Sequence, residues 1–237
     1  MHQMKMLWIT VAYSIPVIVG SPFHVHANVL YSETFEDGSA DGIVVDYGSL
    51  SVGAGLNGST GAYVPDNRGH HFFTLSGIRS DDVSIQAEFR LDDAGVSDFE
   101  VYFAADDPAV SSADWRGLRP NNGYFARVNP LSSDDPLGKI TRLDGGNGTN
   151  LIVVPNTISA GETHTLRVDR VGARIDVFLD GRPFASAIDG TYTAGEIEFL
   201  IFGGGAIDDI LVTAIPEPAM MPAVFTLAIV GLMQRHG

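Results

Sequence analysis

The chain has 237 residues, a length that suits one large domain or two small ones. It carries 14 Lys and Arg against 29 Asp and Glu, a formal net charge of -15, which argues against a nucleic-acid or anionic-membrane partner because like charges repel. Hydrophobic residues make up 45%, enough for a full core, and with no cysteine that core cannot be replaced by disulfides.

The first element reads as a leader. One basic residue, Lys5, precedes an apolar run from Met6 to Gly20, and Val25-His26-Ala27 follows after a short break. Small or apolar side chains at such spacing suit signal peptidase, which predicts a cut after Ala27. The alternative is an anchor that stays in the membrane. A run of ~15 residues at about 1.5 Å per residue falls short of a ~30 Å hydrocarbon core, so cleavage is the expectation.

From Asn28 to Thr213 the pattern has period two. Val83, Ile85, Ala87, Phe89 and Leu91 alternate with Ser84, Gln86, Glu88 and Arg90, which places one face on a core and one in water. Phe99, Val101 and Phe103 alternate with Glu100 and Tyr102. Leu166 and Val168 then alternate with Arg167 and Asp169, and Ile175, Val177 and Leu179 with Asp176 and Phe178. Asp180-Gly181 reads as a hairpin turn. Ile197, Phe199 and Ile201 alternate with Glu196, Glu198 and Leu200, and Ile207–Val212 forms the last strand. No convincing amphipathic helix, internal repeat or interior linker interrupts the series. Ten or more short strands predict an all-β fold, a two-sheet antiparallel sandwich. The longest irregular stretches are Asp106–Asn122 and Asn129–Gly138, and loops of that length are often functional.

The chain closes with Pro216-Glu217-Pro218, an apolar run Ala219–Met233, and Gln234-Arg235-His236-Gly237. The prolines end any incoming strand. As bare physics the run is a marginal membrane span with a weak positive stop, or else a buried terminal helix. The order of these parts resembles the PEP-CTERM sorting signal of Gram-negative bacteria, although a single Arg235 stands where the family has an Arg cluster. The resemblance implies a short transmembrane helix, transient association with the inner membrane, an exosortase-type processing enzyme as partner, and release to the cell surface or extracellular matrix.

The body carries a second resemblance. A His164-Thr165-Leu166-Arg167-Val168 strand is followed by the Arg174–Gly181 hairpin, a Gly195-Glu196-Ile197 strand, and a closing Asp208-Asp209-Ile210 strand. Together with the opening Tyr31–Gly42, this is similar to the concanavalin A-like jelly-roll superfamily, in particular laminin G-like and 3-keto-disaccharide hydrolase-like domains. The expected organisation is a signal peptide at 1–27, a jelly-roll sandwich at 28–213, and the sorting signal at 214–237.

Three chemistries are open. Glycoside hydrolysis needs two carboxylates roughly 5 to 9.5 Å apart, and residues i and i+2 of a strand share a face at roughly 6.5 Å. Glu196 and Glu198 meet that spacing, as do Asp98 and Glu100. The Glu-x-Asp-x-x-Glu strand of jelly-roll laminarinases is absent. Structural calcium is the second, because the resembled fold sets its first and last strands side by side. That arrangement brings Glu36 and Asp37 toward Asp208 and Asp209, and clustered carboxylates invite a cation. The twelfth position of the Asp37 loop is Gly48, which rejects an EF-hand. Sugar binding is the third. Outward Glu88, Arg90, Glu100, Tyr102, Arg127 and Arg142 are expected to share one sheet face, with Trp115 in the long loop beside it as a stacking platform. Each set also has a plainer reading as solvated strand residues, an Asp-Gly turn or surface ion pairs. His70 and His71 adjoin on a strand, so they point to opposite faces and make a poor metal pair. The reading that follows is an exported, surface-sorted carbohydrate-binding or matrix component, with a secreted sugar hydrolase as the alternative.

Overall fold

The computed structural model describes residues 28–79, 81–93, 97–106, 119–130, 137–155 and 158–216. The expected cleavage residue Ala27, the loop residue Trp115, and Glu217 and Pro218 of the sorting motif lie outside these residues. Pro216 is exposed, just beyond the last strand.

The described residues form two antiparallel sheets and no helix. The first sheet is eight-stranded. It runs β13 (Arg182–Ile188), β12 (Arg174–Leu179), β11 (Thr163–Val171), β6 (Val83–Leu91), β15 (Gly205–Ala214), β4 (Ala62–Pro65) and β3 (Leu50–Gly53), with β1 (Asn28–Glu33) also paired to β15. The second sheet is seven-stranded. Its order is β10 (Asn147–Pro155), β9 (Leu137–Asp144), β8 (Gly123–Val128), β7 (Asp98–Ala105), β14 (Glu196–Phe202), β5 (His70–Leu75) and β2 (Ile43–Tyr47). First and last strands do lie side by side, with Glu33 opposite Ile210. The expected hairpin is present: Asp180 and Gly181 both have positive φ, 52° and 72°, which matches the right-handed twist of β12 and β13.

Period two explains the layering. Every second residue of β6 is buried, from Val83 to Leu91, and the intervening residues are half-exposed. The inward set of both sheets meets in one core that runs from Phe35 to Val212. An aromatic row crosses it. Phe35 stacks on Tyr63, Tyr63 meets Phe73 edge-on, Phe73 stacks on Phe199, Phe199 on Phe99, and Phe99 on Phe89, with centroids 4.5 to 6.1 Å apart. The adjoining histidines split as their phase requires. His71 is fully buried, with Nδ1 accepting from the Ser49 amide at 3.1 Å, and His70 stacks outward on Phe202 at 4.0 Å. The Ser49 bond makes Nε2 the protonated nitrogen, which donates to the Asn67 carbonyl at 3.0 Å. Burial accordingly pushes the His71 pKa down.

One end of the sandwich is closed by a polar network, and it claims a residue expected elsewhere. Arg142 pairs in register with Tyr124, whose ring lies in the core. It therefore faces inward at the rim, away from Glu100 and Arg127. Its guanidinium bridges the sheets, reaching Asp189 at 2.7 Å and Asp144 at 2.9 Å. Tyr124 donates its hydroxyl hydrogen to Asp189 at 2.7 Å, and Tyr192 donates to Asp144 at 2.8 Å. Arg170, 1% exposed, donates to the carbonyls of Tyr192 and Thr193 in the same plug.

Burial alone would raise the Asp189 pKa; the bonds from Thr191, Tyr124 and Arg142 outweigh it and bring the carboxyl to about 2. A folded value below the unfolded one contributes stability that is complete above the ordinary carboxylate range and is lost as pH falls through about 2. Asp189→Asn is therefore expected to lower the melting temperature at about pH 7, and to bring the two proteins together between about pH 4 and about pH 2. Melting curves that keep a constant separation across that range contradict the assignment.

Candidate functional site

The outer face of the seven-stranded sheet departs from the rule that an outward face is wet. On β7 the outward residues are Asp98, Glu100 and Tyr102, because Phe99, Val101 and Phe103 point into the core. Cross-strand partners share a face, so Arg127 stands opposite Glu100, Phe125 opposite Tyr102, Glu198 opposite Tyr102, Leu200 opposite Glu100, and Phe202 opposite Asp98. Lys139 continues the row opposite Arg127.

Several of these side chains are sealed from solvent. Glu100 and Tyr102 are 0% exposed and Glu198 is 1% exposed. They sit among a second apolar cluster of Phe72, Tyr102, Ala105, Phe125, Leu143 and Leu200, with Tyr47 and Phe202 at its margin. A carboxylate there needs partners. Glu100 has them: Arg119 reaches it at 3.1 Å and the Tyr102 hydroxyl donates to it. Arg119 stands at the foot of the β7–β8 connection and also lies over the Phe125 ring at 5.5 Å. Removing one partner of such a buried pair leaves an uncompensated charge, which costs ~3 kcal/mol or more.

Asp98 is at the edge of this cluster and pairs with Arg127 at 3.2 Å. Burial, and then the Glu100 charge, push its carboxyl up to about 6, against the pull of Arg127, Arg119 and Lys139. Burial, with Glu100 beside it, also holds the Tyr102 hydroxyl far above its ordinary range. Next to Asp98, the stacked His70 and Phe202 rings are half-exposed. The arrangement joins an aromatic platform to charged hydrogen-bonding groups on one rigid sheet.

A bulge shapes the far end. Between Glu196 and Glu198 the register slips, Glu196 facing Ala105 and Glu198 facing Tyr102. Ala104 is the extra residue and takes φ 48°. Gly195 permits this, since a Cβ there would fall 2.3 Å from the Ala104 carbonyl carbon. The Glu196 and Glu198 pair expected from i, i+2 spacing is therefore split by environment, Glu196 half-exposed and Glu198 buried.

The other expected residues lie elsewhere. Glu88 and Arg90 belong to β6, so they are on the outer face of the opposite sheet and do not share a face with Glu100, Tyr102 and Arg127. Glu88 accepts from the Asn57 side chain at 2.9 Å, and Arg90 pairs locally with Asp92 at 2.7 Å. Asp208 is fully buried opposite Glu88, and takes hydrogen bonds from the Leu56 amide at 3.0 Å, the Ser59 hydroxyl and the Asp209 amide at 2.8 Å. Glu36 accepts from both Thr60 groups, and Asp37 from Ser39. Asp209 sits at a bulge with φ 45°, its carboxyl raised by burial, then by Asp208 and Glu36. Among the described residues, no group of three or more acidic or histidine side chains is placed to share a metal ion.

Sequence reasoning missed Arg119, Lys139, Phe72, Phe125 and the His70–Phe202 stack as parts of this face. A signal was present. Glu196–Phe202 is apolar in both phases beyond Glu198, and Phe72-Phe73 are adjacent on β5. Strands apolar on both sides are covered on both sides.

No family model and no curated protein matches the chain. Solved structures do. The carbohydrate binding module CBM66 from Bacillus subtilis superposes with a TM-score of 0.57 at 18% identity, over 73% of this chain and 96% of that one. The shared fold is a two-sheet antiparallel β-sandwich. The Emp47p carbohydrate recognition domain gives 0.59 at 13% identity, over 78% of this chain and 95% of that one. An endo-β-galactosidase from Clostridium perfringens that releases GlcNAcα1-4Gal gives 0.55 at 9% identity, over 79% of this chain and 62% of that one.

Proposed function

We propose that the chain is a glycan-binding β-sandwich whose site is the outer face of the seven-stranded sheet. The observation that carries this is the His70–Phe202 stack beside the Asp98–Arg127 pair. An aromatic face takes the apolar side of a sugar ring, and adjacent charged groups take its hydroxyls. The buried Glu100 and Tyr102, with the half-buried Arg119, hold that surface in place. The carbohydrate binding module and carbohydrate recognition domain among the fold neighbours point the same way.

Hydrolysis is the second reading. Glu100 and Glu198 occupy diagonal positions on neighbouring strands, which are roughly 7–8 Å apart, within reach of an acid and base pair. Both are sealed, and Glu100 is engaged by Arg119 and Tyr102, which suits support better than turnover.

Purified full-length chain is expected to be retained by at least one polysaccharide of a bacterial and algal panel, with no sugar released. Phe202→Ala is expected to weaken that retention about tenfold, the effect of ~1.4 kcal/mol. Released sugar would favour hydrolysis. Neither retention nor release would leave a structural matrix protein as the better account.

The address is proposed from the two ends of the sequence. Export, removal of the leader after Ala27, and sorting through Pro216-Glu217-Pro218 place the sandwich at the cell surface or in the extracellular matrix. The intact mass of natively secreted protein tests this, and a secreted form that keeps both Met1 and Gly237 contradicts it.

A further inference from the structure

The β12–β13 hairpin breaks step close to its turn. Val177 faces Ala185 but Phe178 faces Pro183, so Phe184 is an extra residue on β13. It packs on the core against Gly138 of β9, where a Cβ would collide with its ring. Ile175, Val177 and Leu179 are committed to the core, so Arg174, Asp176 and Phe178 point to the outer face, with Ser186 opposite Asp176 and Pro183 opposite Phe178. A depression of about 310 Å³ opens there, and these five residues line it. That volume is at the lower end of ligand pockets and suits a ring or two, not a long chain.

Its two sides differ in chemistry. Phe178 and Pro183 make one side apolar. Arg167, opposite Phe178 on β11, covers one face of that ring at 4.0 Å, and the other face looks toward β13. The second side is polar. Asp176 accepts from Arg174 Nε at 2.6 Å, from Arg174 Nη2 at 3.1 Å and from the Ser186 hydroxyl at 2.7 Å. Arg174 first, and Ser186 with it, hold this carboxyl below the usual range, so it stays an acceptor. Asp169, its neighbour on β11, is engaged by Ser84 at 2.6 Å and by Arg167 at 3.2 Å. The Arg174 side chain is 66% exposed, and an exposed pair of this kind adds little to stability. Its groups therefore turn to a ligand at small cost.

Resting on the glycan-binding reading, we propose that this depression is a second, weaker sugar site, which takes one uncharged ring of the same polysaccharide. The apolar face of the ring meets Phe178 and Pro183. Its hydroxyls donate to Asp176 and Ser186 and accept from Arg174. A carboxylate at the centre of the polar side selects against a uronate. The two sites belong to different sheets of one sandwich, so they look in opposite directions. A stretch of a few rings occupies one or the other, and a single protein ties two stretches of polymer together.

The test is affinity electrophoresis of the full-length chain in gels holding laminarin, galactomannan, xylan or dextran, joined to the turbidity that the protein raises in solutions of the polymer that retards it. The parent is expected to show both. Phe178→Ala is expected to keep retention by the seven-stranded sheet and to abolish the turbidity. Added to Phe202→Ala, it is expected to weaken the remaining retention about tenfold. Asp176→Asn is expected to act in the same direction, with a melting temperature near that of the parent. Melting curves confirm that each variant folds. Retention and turbidity unchanged in both Phe178→Ala and Asp176→Asn overturn the second site and leave the first standing. Retention that survives Phe202→Ala unchanged but is lost in Phe178→Ala overturns the reading of the seven-stranded sheet instead. Retention by no polymer overturns both.

Discussion

The aromatic row from Phe35 to Phe89 is the constraint on which the rest depends. It begins in the eight-stranded sheet at Tyr63, crosses to Phe73, Phe199 and Phe99 in the seven-stranded sheet, and returns at Phe89. Without a disulfide, the two sheets are held together largely by such burial. Truncating one phenylalanine in a core of this kind typically costs ~3–5 kcal/mol. The row also sets register. A slip of one residue in β7 or β14 would send Phe99 or Phe199 to the outer face and bring Glu100 or Leu200 inward.

That register has a consequence on the other side of the seven-stranded sheet. Once Phe99, Val101 and Phe103 are committed inward, Asp98, Glu100 and Tyr102 must point out, directly beside Glu198, Leu200 and Phe202. The outer face is therefore a mixture of carboxylates and apolar groups, and low dielectric strengthens every charge pair placed there. Arg119 answers Glu100, and Arg127 answers Asp98. Core packing and the chemistry of the face are in this sense one arrangement. The opposite sheet shows the contrast. Its outer face resolves into local partners such as Arg90 with Asp92 and Arg174 with Asp176, which are screened and weak.

Much of the fold was legible because alternation is a local signal. The strands around Val83–Leu91, Phe99–Phe103, Leu166–Val168, Ile175–Leu179 and Ile197–Ile201 all appear, as does the Asp180-Gly181 turn. Short strands with weak alternation, such as Leu50–Gly53 and Ala62–Pro65, were not separable from turns in the sequence. The site was less legible for a different reason. Phase says whether a residue points in or out, but not which sheet it belongs to. Glu88 and Glu100 look alike in sequence and stand on opposite surfaces of the molecule. Arg142 shows a further limit. Its phase is inward, yet at the rim an inward arginine finds Asp189 and Asp144 instead of apolar neighbours.

The most direct test is a nitrogen-15 amide titration of the uniformly labelled protein with a short oligosaccharide cut from a polysaccharide that retains it. The account predicts that shifts concentrate on Asp98–Tyr102, Phe125–Val128, Lys139–Thr141 and Glu198–Phe202. Shifts confined to the outer face of the other sheet, around Glu88, Arg90 and Asp209, would contradict it.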